Sequence, residues 1–353
     1  MIVWSGKALD GTLGFSASMA GSFHFVMDSK NKFFNFFTFL MSLVPAFVLM
    51  TILAFILIYA WPSILYNGTT FFTSYIWNVG ISSRPPVLVR GFLVPPGASF
   101  GALLFIESTV ISSVLAILIA FPVSFLVSLG VELYLPQKAK RPLVSLIELF
   151  AGIPSVVYGL WGIVVLEPLL LHNIEPWMKS NLYFIPGFSG EVLTGSGIIA
   201  SGVILSLMIA PIITSVMVNS FDSAPNEIKQ GLVSLGATRW ELGKYLATNY
   251  SRASTYGGAL LGLGRALGET MAVLMVGGGI VNVLPSSIYS GINTMAAAIV
   301  AYLDSAIGQG TGINLSALAE LSLFLLVISL AVNLLGRKIA GRGALRGVEN
   351  DKL

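Results

Sequence analysis

The chain has 353 residues, of which 55% are hydrophobic and only 10% are charged, with a net charge of +3 and a mean hydropathy of +0.86. Soluble domains carry about one quarter charged residues, so this composition excludes an ordinary soluble domain and indicates a polytopic membrane protein. There is no cysteine, which excludes disulfides and thiolate metal sites, and the small net charge does not suggest nucleic-acid binding.

Six apolar segments are long enough to cross a membrane as helices, and together they predict an all-α transmembrane domain over residues 33–340. Residues 1–32 lack the layout of a cleavable signal peptide and are predicted to form a cytosolic lead. Residues 341–353 are predicted to form a cytosolic tail. The expected spans cover residues 33–60, 101–130, 143–171, 197–220, 255–283 and 313–335.

The basic residues of the chain fall almost entirely on one side of this predicted bundle. Fifteen of the 19 Lys and Arg residues lie in the N-terminal lead, the second and fourth loops and the C-terminal tail, whereas three lie in the first, third and fifth loops. Loops rich in Lys and Arg stay in the cytoplasm. We therefore expect a multi-pass protein of the plasma or inner membrane with both termini in the cytoplasm.

Two of the apolar segments contain residues that weaken helices. Gly152-Ile153-Pro154 interrupts the third segment, and Pro211 lies inside the fourth, one turn before the hydroxyl groups of Thr214 and Ser215. Irregular backbone at membrane depth is tolerated where neighbouring groups satisfy it or where it lines a cavity. The pattern fits simple packing kinks and irregular helices along a substrate path equally well.

The fifth segment carries a cation and a carboxylate, Arg265 and Glu269, four residues apart. An i, i+4 spacing places both on one face of a continuous helix. An arginine at the centre of a membrane helix costs about 2.5 to 3.5 kcal/mol on insertion scales, and such residues usually mark substrate or ion paths. One interpretation is therefore a substrate path, and the other is an internal ion pair that only holds helices together.

The same segment contains small residues at helical spacing, namely Gly257, Gly264 and Gly268. Small residues three or four positions apart let a second helix approach closely within a membrane. We interpret these three glycines as a packing surface for a neighbouring helix.

Residues 221–254, between the fourth and fifth segments, are polar and amphipathic. Ile228, Leu232 and Leu235 form a short apolar stripe, and Gly236 then permits a turn. The chain contains no P-loop motif of the form G-x-x-x-x-G-K-[ST]. If ATP drives this protein, another chain binds the nucleotide.

Several motifs carry a resemblance to a known family. Residues 230–241 (QGLVSLGATRWE) resemble the coupling loop of ABC importer permeases, with Gly236 at its central glycine and Gln230 where the family has glutamate. Residues 262–273 (GLGRALGETMAV) and 147–162 (IELFAGIPSVVYGLWG) are similar to the permeases of phosphate ABC importers, and residues 73–78 and 100–102 agree with them. The ordered set resembles the PstC-type subunit more than its PstA-type partner.

This resemblance implies a type I ABC importer permease fold and a transport function without catalysis in this chain. It implies an extracytoplasmic phosphate-binding protein, a PstA-type second permease within the membrane lipid, and an ATPase dimer that binds ATP and Mg²⁺, so that no cofactor is expected here. It places Arg265 and Glu269 on the phosphate path, where we add Thr214 and Ser215. The implied ATPase contacts are Glu227, Gln230, Gly236, Ala237, Thr238, Arg239 and Trp240.

Two other functions compete with phosphate import. The first is an ABC permease for another oxyanion, such as sulfate or molybdate; Glu269 argues against sulfate because protonated phosphate can donate to a carboxylate and sulfate cannot. The second is a carrier or channel that needs no ATP. The amphipathic loop and the absence of evident coupling-ion sites argue against that alternative.

Overall fold

The computed structural model of the chain describes residues 32–81, 83–308 and 312–350. Apart from Lys32, the predicted N-terminal lead lies outside these residues. Compact packing divides the chain into two units, Met1–Ile52 and Leu53–Leu353, and the first helix begins in one unit and ends in the other. The contacts described below belong to the second unit.

The fold is helical, as predicted from the apolar segments. Its helices are α1 (Lys32–Asn67), α2 (Thr70–Thr73), α3 (Leu103–Leu133), α4 (Gln137–Ala151), α5 (Ser155–Trp161), α6 (Glu167–Leu169), α7 (Glu175–Leu182), α8 (Ile198–Asp222), α9 (Asn226–Ser234), α10 (Arg239–Tyr245), α11 (Arg252–Leu267), α12 (Met271–Val276), α13 (Met295–Gly308) and α14 (Ile313–Asn350). Short π-helical segments join α5 to α6, α6 to α7 and α10 to α11. The last helix continues into the residues predicted to form the tail.

Five helical stretches within the described residues are long and apolar enough to cross a membrane. The predicted count of six is not confirmed, because the fifth expected span is divided into α11 and α12. The stretches are Phe36–Asn67, Leu103–Leu133, Ser155–Leu182, Ile198–Asp222 and Ile313–Leu335.

The third span begins later than predicted. Helix α4 ends at Ala151, and Pro154 has an extended ψ of 138° and precedes the first residue of α5. A proline has no N–H to donate and is well placed at the start of a helix, so the chain breaks here and restarts. The expected span at 143–171 is therefore not a single helix: α4 is a separate helix, and the stretch long and apolar enough to cross a membrane runs from Ser155 to Leu182.

Helix α8 forms the centre of the second unit, and most of its residues are buried. It packs along α3 and also contacts α4 and α11. A Cβ added to Gly202 of α8 would lie 2.5 Å from the Leu115 side chain of α3, so the absence of a side chain permits this close approach. Helices α3 and α8 both contact α11, which carries Arg265.

The loop between α1 and α3 contains two small antiparallel sheets. Strand β1 (Trp77–Asn78) pairs with β4 (Ser99–Phe100), and β2 (Val87–Val89) pairs with β3 (Phe92–Val94). The backbone N–H of Trp77 donates to Oδ1 of Asn282, 2.6 Å away, which joins this loop to the loop that precedes α13.

Candidate functional site

The predicted fifth span is interrupted next to its two charged residues. Helix α11 ends at Leu267, residues 268–270 are not helical, and α12 begins at Met271. Arg265 is exposed on the last turn of α11, whereas Glu269 is half-buried beyond the end of that helix. The prediction that the two side chains share one helix face is wrong, because the helix stops between them.

Each charge lies at the helix end whose dipole complements it. Arg265 occupies the C-terminal turn of α11, where the partial charge of the helix is negative. Oε1 of Glu269 accepts a hydrogen bond from the backbone N–H of Ala272 in the first turn of α12, at 3.4 Å. The break therefore holds a cation and an anion beside two successive helix ends.

Arg265 is not neutralised by an ion pair within the described part of the chain. The three ion pairs found there involve other residues. The positive charge of Arg265 does act electrostatically on the hydroxyl group of Tyr158 in α5, and α5 packs against α12.

Tyr158 lines a cleft of about 490 Å³. The cleft is lined mostly by apolar side chains from α3, α4, α5 and α8, including Pro211, and by the polar residues Tyr158 and Thr214. Tyr158 Oη donates to the carbonyl oxygen of Phe150 at 3.0 Å, which orients the ring. Tyr158 and Thr214 therefore lie around the same cleft.

The second predicted hydroxyl group of α8 faces elsewhere. Ser215 Oγ donates to Oε1 of Glu148 in α4 at 3.2 Å, and Ser215 does not line the cleft. The structure therefore separates Ser215 from Thr214. The adjacent positions diverge because successive residues of a helix point about 100° apart, as 3.6 residues per turn requires.

The glycines of α11 contact two different helices. A Cβ added to Gly264 would lie 3.2 Å from Oδ1 of Asn333 in α14. Gly258 and Gly262, which the sequence analysis did not select, face Val216 and Ile213 of α8.

The other two glycines of the predicted packing surface are Gly257 and Gly268. Gly257 is half-buried on α11, whereas Gly268 lies past the end of the helix and faces only backbone oxygens of its own turn. The prediction that Gly268 lies inside a packing helix is therefore wrong, because α11 ends at Leu267.

The sequence analysis also missed a buried carboxylate in α14. Glu320 is buried, and its Oε2 accepts from Ser63 Oγ at 2.6 Å and from Asn67 Nδ2 at 3.5 Å. These bonds join the end of α1 to α14. The signal was available, because an acidic residue inside an apolar span is expensive and functional or structurally paired by default.

The segment between α8 and α11 forms a helix-turn-helix whose tip is exposed. Helix α9 ends at Ser234, and Gly236 adopts φ of +87°, a conformation that favours glycine. The N–H of Ala237 then donates to the carbonyl oxygen of Leu232 at 3.1 Å, which closes the helix end. The turn predicted at Gly236 is present.

A capping box begins the next helix. The backbone N–H and the hydroxyl of Thr238 both donate to Glu241 Oε2 at 2.8 Å, and the N–H of Glu241 donates back to Thr238 Oγ1. The bonds from the backbone and then the side chain of Thr238 lower the pKa of Glu241. The pattern Thr-x-x-Glu predicts this motif from sequence.

Apolar side chains project from the tip of this segment. Leu235 is 86% exposed, and Val233 and Trp240 are also largely exposed. Of the predicted apolar stripe, Leu235 is thus exposed, whereas Ile228 and Leu232 are half-buried. Exposed apolar side chains grouped on a surface usually mark an interaction site.

Most of the other predicted contact residues are exposed on the same segment, namely Glu227, Gln230, Gly236 and Thr238, whereas Ala237 is half-buried. Arg239 is exposed but is held against the end of α3: its Nη1 donates to the carbonyl oxygen of Leu133 at 3.2 Å, and its guanidinium lies 5.2 Å from the Tyr134 ring centroid. This residue therefore anchors α10.

Comparisons with known proteins agree with these features. Residues 120–342 match the family model described as binding-protein-dependent transport system inner membrane component. The chain is similar to the phosphate transport system permease protein PstC 1 of Mycobacterium tuberculosis, with 36% identity over 88% of this chain and 92% of that protein. It is also similar to PstC of Xylella fastidiosa (35% identity, 86% and 89% coverage) and of Haemophilus influenzae (36%, 85% and 90%).

Proposed function

The chain belongs to the family of binding-protein-dependent transport system inner membrane components, and from this membership we infer that it is the permease subunit of an ABC importer for inorganic phosphate. Its relatives are phosphate permeases at about 35% identity over most of the chain. It is a multi-pass membrane protein and works with an ATPase and a substrate-binding protein. This is the family that the ordered set of motifs at residues 73–78, 100–102, 147–162, 230–241 and 262–273 predicted.

The finer assembly extends this inference. A PstA-type permease is the second membrane subunit, and the ATPase dimer binds ATP and Mg²⁺, since this chain has no P-loop motif. Both termini lie in the cytoplasm, as the distribution of Lys and Arg indicates. The phosphate-binding protein delivers its ligand from the opposite side.

Arg265 carries the proposal for the substrate path. It is exposed on a broken membrane helix and has no ion pair within the described chain. A bare arginine facing lipid would be costly, so this face is expected to meet the second permease or an aqueous path. The guanidinium has five N–H donors in a planar fork that matches phosphate oxygens.

Glu269 tempers the attraction that Arg265 exerts on an anion. It lies four residues from Arg265, and its carboxylate is held by the N–H of Ala272. Its negative charge therefore lowers the local positive potential without an ion pair to Arg265. A protonated phosphate can donate a hydrogen bond to this carboxylate, whereas sulfate, which is fully ionised, is repelled. The pair therefore permits binding that is selective and weak enough for release.

The helix-turn-helix from α9 to α10 couples the permease to the ATPase. Its exposed Leu235 and Trp240 provide apolar contacts for a groove in the partner, and Gly236 holds the turn that presents them. Glu227, Gln230, Ala237 and Thr238 belong to the same contact segment. Arg239 supports this surface from behind through its contact with the end of α3.

The test is uptake of radiolabelled phosphate into liposomes that contain the purified complex and enclose ATP, with the binding protein outside. We expect accumulation that requires ATP hydrolysis and resists competition by excess sulfate. Liposomes with a non-hydrolysable nucleotide are the control. Sulfate-dominated uptake would favour the other oxyanion function, and equal uptake without hydrolysis would favour a carrier.

A further inference from the structure

Four charged side chains meet where the helix-turn-helix segment joins the membrane helices. Nζ of Lys140 in α4 forms ion pairs with Glu132 of α3 and with Oδ1 of Asp222, the last residue of α8, at 2.5 Å. Nζ of Lys229 in α9 pairs with the other carboxylate oxygen of Glu132 at 2.6 Å. We call Glu132, Lys140, Asp222 and Lys229 the base network.

The centre of the base network is shielded from solvent. The side chains of Glu132 and Lys140 are 5% and 7% exposed, and that of Lys229 is 18% exposed. Burial by itself lowers the pKa of Lys140, but the hydrogen bonds to Asp222 and Glu132 outweigh it and raise the pKa above its ordinary value. The lysine is therefore charged at neutral pH, and two cations balance two carboxylates.

A buried ion network is a poor way to stabilise a fold. The loss of hydration of the charges offsets their attraction, and apolar residues of similar volume often serve stability as well or better. What such a network provides is a defined geometry between the elements that carry the charges. The elements joined by the base network therefore matter more than its strength.

Those elements connect the coupling segment to the walls of the cleft. Helix α9 is covalently joined to α8 through residues 223–225, but its link to α3 is made through space by Lys229 and Glu132. Helix α3 contributes Val123 and Val127 to the cleft, and α8 contributes Pro211 and Thr214. A displacement of α9 thus acts on α8 through the chain and on α3 through the ion pair of Lys229 with Glu132.

We propose that Lys229, Glu132 and Lys140 are positioning residues that transmit movement of the coupling segment to α3 and α8 during the transport cycle. This inference rests on the proposed function. The ion pair between Lys229 and Glu132 links α9 to α3. Lys140, which pairs with Glu132 and Asp222, holds the ends of α3 and α8 at a constant separation. Both helices then move together with α9 relative to α5, which also lines the cleft, so the cleft responds to the ATPase.

The test compares phosphate moved per ATP hydrolysed in the reconstituted complex. Lys229→Met keeps the length of the side chain and removes its charge, and we expect the transport ratio to fall at least tenfold while ATP hydrolysis continues. Lys229→Arg should retain the ratio. The matched control is Lys244→Met, at an exposed lysine of α10 that has no ion pair among the described residues.

A double variant tests whether the base network transmits movement or only stabilises the fold. It remains informative even if the Lys229→Met complex fails to assemble. Glu132→Gln with Lys229→Met removes one charge of each sign and leaves Lys140 paired with Asp222. Transmission predicts normal yield of the complex with a low transport ratio. Recovery of both yield and ratio in the double variant, or an unchanged ratio in Lys229→Met, would overturn the proposal.

The anion that the wild-type complex transports tests the proposed function separately from the role of the base network. If it hydrolyses ATP but moves another anion instead of phosphate, the phosphate assignment fails, and the ratio is then measured for that anion. A tenfold loss in Lys229→Met would still support transmission in that case. A wild-type complex that moves phosphate together with a fully coupled Lys229→Met variant would overturn only the role of the base network.

Discussion

The carboxylate of Glu269 accepts a hydrogen bond from the backbone N–H of Ala272, 3.4 Å away, rather than pairing with Arg265. The bond belongs to the first turn of α12, whereas Arg265 ends α11. The helix break therefore divides a cation and an anion that a continuous helix would have placed on one face. Among the described residues the guanidinium therefore has no ion pair, whereas the carboxylate is anchored to the first turn of α12.

Arg265→Ala should abolish phosphate uptake without preventing assembly, because it removes the main attraction for the anion. Loss of a charge-assisted hydrogen bond costs about 1.5 to 3 kcal/mol, or roughly ten- to a hundredfold in affinity. Arg265→Lys should retain partial transport, since it keeps the charge and loses the fork. Uptake and membrane yield are the measurements, and a transport-competent Arg265→Ala, Glu269→Ala double variant would remove Arg265 from the path.

Glu269→Gln should weaken discrimination between phosphate and sulfate. Glutamine retains an oxygen that accepts from Ala272, so the start of α12 is preserved, but the negative charge that repels sulfate is lost. We expect sulfate to compete about tenfold better, which corresponds to about 1.4 kcal/mol, and phosphate release to slow. Competition by sulfate during ATP-driven uptake is the measurement. Unchanged competition would argue against contact between Glu269 and the anion.

Gly236→Trp should uncouple ATP hydrolysis from transport. The residue has φ of +87° at the turn between α9 and α10, where a side chain costs about 1 to 2 kcal/mol, and a large ring would also displace the exposed tip. Gly231→Ala is the control, because this glycine lies within α9 and a Cβ there meets no atom within 4 Å. Full ATP-driven uptake by Gly236→Trp would contradict the coupling role of the turn.

Thr238→Ala should destabilise α10 locally by about 0.5 to 2 kcal/mol, the usual cost of losing an N-cap side chain. The folded-state pKa of Glu241 is lowered by its bonds from Thr238. The linked stability is therefore present above the ordinary pKa of Glu and is lost as pH falls through the folded value. Amide hydrogen exchange of α10, corrected for intrinsic rates, should show less pH dependence in the variant; an identical dependence would contradict this account.

Single cysteines should report the orientation of the chain, which has none of its own. The N–H of Ile198, at the start of α8, donates to the carbonyl oxygen of Ser290, whereas α10 follows the far end of that helix, about 37 Å away. Ser286→Cys should react with an impermeant maleimide from outside, and Lys244→Cys only after permeabilisation. Both positions are exposed, and the reverse result would overturn the orientation.

The amino-acid sequence by itself determined that this chain resides in a membrane and which family it belongs to. It also singled out Arg265 as a cation inside an apolar segment. These conclusions depend on local properties: the length of apolar runs, the placement of Lys and Arg, and the ordered motif around Arg265. The turn at Gly236 is equally local, because only a residue without Cβ adopts its backbone conformation at little cost.

Only the tertiary structure decided where the helices break and which charges meet. Gly268 inside a helix costs only about 1 kcal/mol relative to alanine, so helix propensity alone does not predict that α11 ends before Glu269. The pairing of Lys229 with Glu132 joins residues 97 positions apart, and that of Glu320 with Ser63 joins residues 257 apart. No periodicity encodes such contacts, because they arise when packing of the helices brings distant side chains into one buried region.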